Sequence, residues 1–164
     1  MTEFEPGSHF YDRVRWEDRR PEGPHLWRTL GFRRTVWEPG RQVVEWDATE
    51  DYGFPTNAGH ILHGGMVTTL LDTAMGGACW TLLNEDETFL TADLRVEFFR
   101  SAKPGLLRGE GRVAHRARRV VFCSADLYQD DALVASARCT QILLPAGGSA
   151  GRPLLRHDRA SAPD

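Results

Sequence analysis

The sequence predicts an α+β domain in which a curved antiparallel β-sheet wraps around one long central helix. Three observations carry that reading. The chain has 164 residues, the length of one domain with a full core. Two β-prone runs precede one long apolar segment and four follow it, so the order is two strands, one helix, four strands. The apolar segment, roughly Gly64 to Leu83, is apolar nearly all round, and a sheet curling around such a helix is the economical way to bury it.

Residues 1–25 form a polar N-terminal arm ending in Pro21-Glu22-Gly23-Pro24, a helix-breaking run. A short helix over Phe10 to Arg20 is expected before it. The domain proper is expected over residues 26–145. Phe32 to Trp37 and Arg41 to Trp46 read as a hairpin, because in Glu38-Pro39-Gly40 the proline pre-sets φ and the glycine is free to take positive φ. Residues 49 to 62, with Pro55 and Asn57, read as a loop. The helix follows and ends before the acidic turn Asn84-Glu85-Asp86-Glu87. Thr88 to Phe99, Leu106 to His115, Arg119 to Tyr128 and Leu133 to Leu144 complete the sheet, with turns at Lys103-Pro104-Gly105 and Gln129-Asp130-Asp131. From Pro145 onward the chain is Gly, Ser, Pro and charge, so residues 146–164 are expected to be a disordered tail.

Composition excludes several classes. Apolar residues make up 41% and charged residues 26%, and the net charge is 20 − 23 = −3, so no nucleic-acid partner is indicated. Cys79, Cys123 and Cys139 are an odd number at no metal spacing and read as reduced core residues of a cytoplasmic protein. MTEFEPGSHFYDR has no apolar signal core. The long uncharged stretch holds Asp72 and four Thr and four Gly between Gly64 and Leu83, which argues for a buried soluble helix rather than a membrane span.

Asp72 is the singular residue. It is the one formal charge between Tyr52 and Asn84. Desolvating a carboxylate is expensive, so an Asp kept in such a segment is a site candidate. At about 100° per residue it shares a helix face with Gly65, Thr68, Thr69, Gly76 and Cys79, while Val67, Leu70, Leu71, Ala74, Ala78 and Leu82 form the packing face. The small residues leave room for a ligand or another backbone. The competing account is that Gly76 and Gly77 only relieve crowding against the sheet, which leaves the Asp unexplained. The His63-Gly64-Gly65 run opens backbone N–H groups at the helix start. Asp72 lies eight residues, ~12 Å, from its own Gly64. A general base must lie within roughly 3 Å of its water. One chain therefore cannot easily supply both groups, whereas a symmetric dimer can, with two equivalent sites at its interface.

Asn57-Ala58-Gly59-His60-Ile61-Leu62-His63-Gly64-Gly65 followed by Asp72 resembles the hotdog-fold acyl-CoA thioesterases of the phenylacetate-pathway (PaaI-like) type. Their pattern is an Asn, then His-Gly-Gly six positions on, then an acidic residue nine beyond that His; both spacings hold. Thr91 to Phe98 also looks like the family's strand after the helix, and the resemblance covers about Gly31 to Leu144. It implies that Asp72 is the catalytic carboxylate, activating water or attacking the thioester carbonyl. It implies that the Gly64 N–H binds the oxyanion, with Gly65 beside it on the substrate, that Asn57 and His63 position thioester and water, and that Thr91 helps hold the water. The implied partner is an acyl-CoA substrate, in a homo-oligomer whose minimal active unit is a dimer and which can be a tetramer. No cofactor is implied.

Elementary chemistry agrees. Thioester hydrolysis builds charge on the carbonyl oxygen, which helix N-terminal amides stabilise by ~3 kcal/mol per donor. A thiolate leaves without a strong general acid. No Gly-x-Ser-x-Gly elbow or Ser-His-Asp arrangement competes. His60 and His63 lack a third metal ligand, so no metal is expected, and His63 can equally be a structural helix cap.

Residues 95 to 119 hold Arg95, Arg100, Lys103, Arg108, Arg112, Arg116, Arg118 and Arg119 against Glu97 and Glu110, a local excess of 8 − 2 = +6. Coenzyme A carries a 3′-phosphate and a pyrophosphate, which Arg binds bidentately. Arg116, Arg118 and Arg119, at a hairpin tip, are the phosphate candidates; a solvated outer strand face is the alternative. His115 and Arg118 also resemble a His-x-x-Arg stretch of relatives, with Ala117 where Gly is usual. Among the aromatics, Trp80, Phe89 and Phe98 are candidates for an acyl pocket. Two other functions use the same fold: a non-catalytic acyl-CoA binding or sensing module, against which the intact Asp72 and His63-Gly64-Gly65 argue, and an acyl-CoA hydratase or dehydratase, for which Asp51 and His60 have no matching spacing.

Overall fold

The computed structural model describes residues 4–11 and 25–146. The expected helix over Phe10 to Arg20 falls largely outside those residues, as do most of the N-terminal arm and the expected tail. The elements in chain order are α1 (Ser8–Tyr11), α2 (His25–Leu30), β1 (Arg33–Glu38), β2 (Arg41–Ala48), a 3-10 turn (Glu50–Tyr52), β3 (Gly53–Thr56), β4 (Gly59–Leu62), α3 (Gly64–Trp80), β5 (Glu87–Phe98), β6 (Gly105–Arg116), β7 (Val120–Gln129) and β8 (Ala132–Pro145). Six strands form one antiparallel sheet in the order β1-β2-β6-β7-β8-β5. The predicted α+β architecture is the observed one.

The turns form for the anticipated reasons. Gly40 takes φ 76° between β1 and β2, and Asp130 and Asp131 take φ 49° and 59° between β7 and β8, a left-handed pair that suits the twist of a tight hairpin. Residues 53 to 62 are a correction. They form the two-stranded ribbon β3–β4 rather than a loop, pairing Gly53 with Leu62 and Pro55 with His60. A ribbon has two open edges, so Pro55 needs no N–H partner there.

Helix α3 lies chiefly over β6, β2 and β7 and touches β5 and β1 little. Val67, Leu70, Leu71, Ala74, Met75 and Ala78 are buried against Val44, Trp46, Leu107, Val121, Ala125 and Leu127. Each such Val, Leu or Met side chain contributes about 1.5–3 kcal/mol of burial. Close approach of helix and sheet depends on glycine. A Cβ on Gly111 would stand 2.2 Å from the Ala74 carbonyl oxygen, and one on Gly77 2.0 Å from the Gln42 amide. The crowding account of the helix glycines thus holds for Gly77. Gly76 rests against the Phe89 ring, 3.2 Å from where a Cβ would be. Cys79 is a buried core residue, as expected, although it shares the angular position of Asp72, and it lies with Met75 and Ala78. It meets Cys123 on β7, because the sheet closes further over the C-terminal end of the helix.

Candidate active site at the flank between helix and edge strand

Edge strand β5 runs beside α3 with Phe89 near Gly76 and Phe98 near Gly64. The gap between them is the flank that Asp72 faces. Apolar residues of β5 change phase along the strand. Phe89 and Thr91 face inward, and Leu94 and Val96 pack on the core three and five residues later. A register shift between Thr91 and Asp93 absorbs the extra residue. Such a bulge re-aims one side chain, here the Thr91 hydroxyl, which donates to Asp72 Oδ1 at 3.2 Å. The same hydroxyl lies 3.1 Å from Gln141 Oε1 on β8. Gln141 is completely buried, and its Nε2 donates to Cys139 Sγ at 3.2 Å. Burial raises the Asp72 carboxyl above its ordinary value, and the Thr91 hydrogen bond partly offsets that rise. A carboxyl with that balance is a stronger base than an exposed one.

At the other end of the flank, His63 is the N-cap of α3, and its Nδ1 accepts the Gly65 N–H at 2.9 Å. Met66 and Val67 give their N–H groups to the His63 carbonyl. The Gly64 N–H therefore remains without a partner among the described residues. Gly65, expected beside it on the substrate, has its amide engaged by the cap. The Gly64 backbone borders a groove of about 480 Å³ lined by Phe54, Ile61, Val67, Phe98, Phe99 and Arg100, among others. Of the three aromatics considered for a pocket, Phe98 lines this groove, while Trp80 and Phe89 stack edge-on at 6.1 Å beside Gly76.

Asn57 is exposed in the turn of the β3–β4 ribbon, at the far end of β4 from Gly64. The structure does not bring it near Asp72 or Gly64 of its own chain. The basic cluster is largely neutralised within the fold. Arg95 pairs with Glu97, Arg108 with Glu110, and Arg112 with Asp126. Arg116 grips both carboxylate oxygens of Glu87 at 2.8 Å and also the Leu82 carbonyl, so its guanidinium is committed to holding the helix end to β5. Arg118 and Arg119 are exposed at the β6–β7 tip and make no ion pair among the described residues. Among those residues no group of three or more His, Cys, Asp or Glu is arranged to hold a metal, and no helix is long and apolar enough to cross a membrane. Sequence reading missed Gln141 and named Arg100 only as one of a basic cluster. A buried Gln in the apolar strand around Ile142 was the available signal for the first; the second needed the fold.

Residues 59–136 match the thioesterase superfamily. A Pseudomonas aeruginosa protein and a Saccharolobus solfataricus protein, both bearing esterase names, are 35% and 29% identical over 49% and 57% of this chain. The matched segments span 61% and 64% of those relatives' own length. A solved Ralstonia eutropha structure, whose name couples a thioesterase to phenylacetic acid degradation, is 29% identical with a TM-score of 0.72, over 82% of this chain and 98% of that one. A thioesterase family protein from Silicibacter pomeroyi is 25% identical with a TM-score of 0.70, over 83% of this chain and 98% of that one.

Proposed function

We propose, from the hotdog fold and the match of residues 59–136 to the thioesterase superfamily, that the protein is a thioester hydrolase that cleaves acyl-CoA to the free acid and CoA. The observation that carries the reading is the pairing of one half-buried carboxylate of raised pKa with one open amide at a helix start. Both belong to an otherwise uncharged segment.

The chemistry follows from those two groups. Asp72 takes a proton from water as the water oxygen bonds to the thioester carbon. The carbonyl oxygen becomes an oxyanion and accepts the Gly64 N–H, at the positive end of the helix dipole. Collapse of the tetrahedral species breaks the C–S bond, and the proton held by Asp72 returns to the departing thiolate. The ~12 Å separating Asp72 from its own Gly64 requires that the two come from different subunits of a homodimer. Strand β5 supports that arrangement: it is twelve residues long, forms one edge of the sheet and leaves Leu90 and Phe98 about half exposed. A long unpaired edge is a template for pairing with another chain. Asn57, remote from its own Gly64, then reaches a site across the same interface. Arg118 and Arg119 remain the phosphate contacts, and Arg116 is better assigned to structure. The site is assigned to the cytoplasmic compartment by its reduced thiols.

The test is release of free thiol from a panel of phenylacetyl-, benzoyl-, medium-chain and long-chain CoA. Asp72→Asn is expected to lower turnover by ~10²–10⁴-fold with the oligomer intact. Undiminished turnover in that variant overturns the assignment, and tight acyl-CoA binding with no thiol release favours a binding module instead.

A further inference from the structure

Buried Gln141 is not accounted for by packing alone. It stands on β8 among Cys139, Leu143 and Val121, all buried and apolar or nearly so. A buried amide in such surroundings is costly unless it is hydrogen-bonded. Both of its ends are satisfied, Nε2 by Cys139 Sγ and Oε1 by the Thr91 hydroxyl. With Nε2 turned toward the thiol sulfur, Oε1 faces Thr91.

Thr91 has one hydroxyl proton and two acceptors for it, Asp72 Oδ1 at 3.2 Å and Gln141 Oε1 at 3.1 Å. It cannot donate to both at once. The two choices correspond to the two protonation states of Asp72. An ionised carboxylate only accepts, so it must take the Thr91 proton and strand the buried Gln141 oxygen. A protonated Asp72 can itself donate to the Thr91 oxygen, which frees the Thr91 proton for Gln141 and leaves every group in the row satisfied. We propose that Gln141 is a positioning residue for the reaction: by claiming the Thr91 hydroxyl proton it favours the protonated form of Asp72, and so strengthens Asp72 as the base that takes a proton from water. This rests on the general-base reading of Asp72.

Few charges compete with this effect. The side chains that β2, β6, β7 and β8 present to the helix are Gln42, Val44, Trp46, Leu107, Val113, Val121, Cys123, Ala125, Leu127, Ala137, Cys139 and Gln141, with glycines on β6. The titratable groups there are the thiols of Cys123 and Cys139, with Cys79 on α3. Contact with Cys139 and Cys79, together with burial, holds the Cys123 thiol protonated. On β5, Glu87 is tied to Arg116, and Arg95 to Glu97. Asp93 follows the bulge and is exposed, and Arg34 of β1 lies over Trp37 at the opposite edge.

The experiment is a carboxyl ¹³C NMR titration of Asp72 in the full chain, with Asp72→Asn identifying the resonance. It is run on the parent, Gln141→Met, Thr91→Val and the double variant, alongside the pH dependence of thiol release. Gln141→Met preserves side-chain volume, and Gln141→Leu is the second variant should Met perturb folding. In the parent background the Gln141 substitution is expected to move the Asp72 titration, and the acid limb of the rate profile, to lower pH, because Thr91 is then free to serve the carboxylate. In the Thr91→Val background the same substitution is expected to move neither. An unchanged or upward-moving Asp72 titration, or a shift that persists without the Thr91 hydroxyl, overturns the proposal. The titration needs no turnover, so a downward shift without thiol release leaves the Gln141 linkage standing and removes the hydrolase reading.

Discussion

At the scale of single residues, Asp72 and Gly64 oppose one another in cost and readiness. The Gly64 amide is left open by a cap that satisfies its neighbour, and it costs the fold little because helix starts always leave such groups. Asp72 is costly. Its folded pKa lies above the ordinary carboxylate value of about 3.9, with burial as the main cause and the Thr91 bond opposing it. Folding therefore disfavours its charged form. The stability it allows is greatest below the unfolded pKa and is lost as pH rises through the folded value. Asp72→Asn is accordingly expected to raise Tm relative to the parent at pH 7 to 8, with the difference shrinking toward pH 4, as followed by thermal denaturation across pH. On the proposed mechanism the same group sets activity: thiol release should fall as pH drops through the raised pKa, at a higher pH than an exposed carboxylate would give. Gly64→Pro complements this. Proline suits the first helical position, and the extended His63 before it (φ −66°, ψ 131°) is compatible with a following proline. The variant removes the N–H and adds ring carbons beside Phe98, whose ring stands 3.3 Å from where the Cβ would be, so circular dichroism should remain parental while turnover falls by at least ~10²–10³-fold.

At the scale of elements, the helix–sheet contact is set by which glycines admit backbone. Gly111→Ala would drive a Cβ into the Ala74 carbonyl at 2.2 Å, a backbone atom that cannot step aside. Gly109→Ala would place one 3.4 Å from Leu70, an ordinary contact. Chemical denaturation is expected to show a loss of about 1–3 kcal/mol for Gly111→Ala and a change within about 1 kcal/mol of parental for Gly109→Ala. The elements were largely legible before the structure. The turns at Pro39-Gly40 and Asp130-Asp131 carry their own dihedral preferences, and Asp72 announced itself as a lone charge in a buried helix. What escaped was non-local. The β3–β4 ribbon hid behind Gly53, Pro55 and Gly59, which read as loop when the edge character of the strands is unknown. Arg116 looked available because Glu87 lies 29 residues away in sequence. The phase change from Phe89 and Thr91 to Leu94 and Val96 was visible in the letters, and a bulge at Ala92 follows from it once both halves must face one core.

At the scale of the whole molecule, the proposed mechanism asks for two chains. On the proposed mechanism the helix carries the oxyanion donor at one end and the base eight residues on, so one chain does not close the proposed site, and the open edge of β5 lies on the flank that both groups face. The direct measurement is complementation between two inactive variants, Asp72→Asn and Gly64→Pro, co-refolded in equal amounts and assayed for thiol release. In a mixed dimer one site would pair the intact Gly64 of the first chain with the intact Asp72 of the second. Half of the dimers are mixed and half of their sites are restored, so activity should return to about a quarter of the parental rate. No recovery above the separate variants, with mixed dimers demonstrably formed, would contradict the shared site.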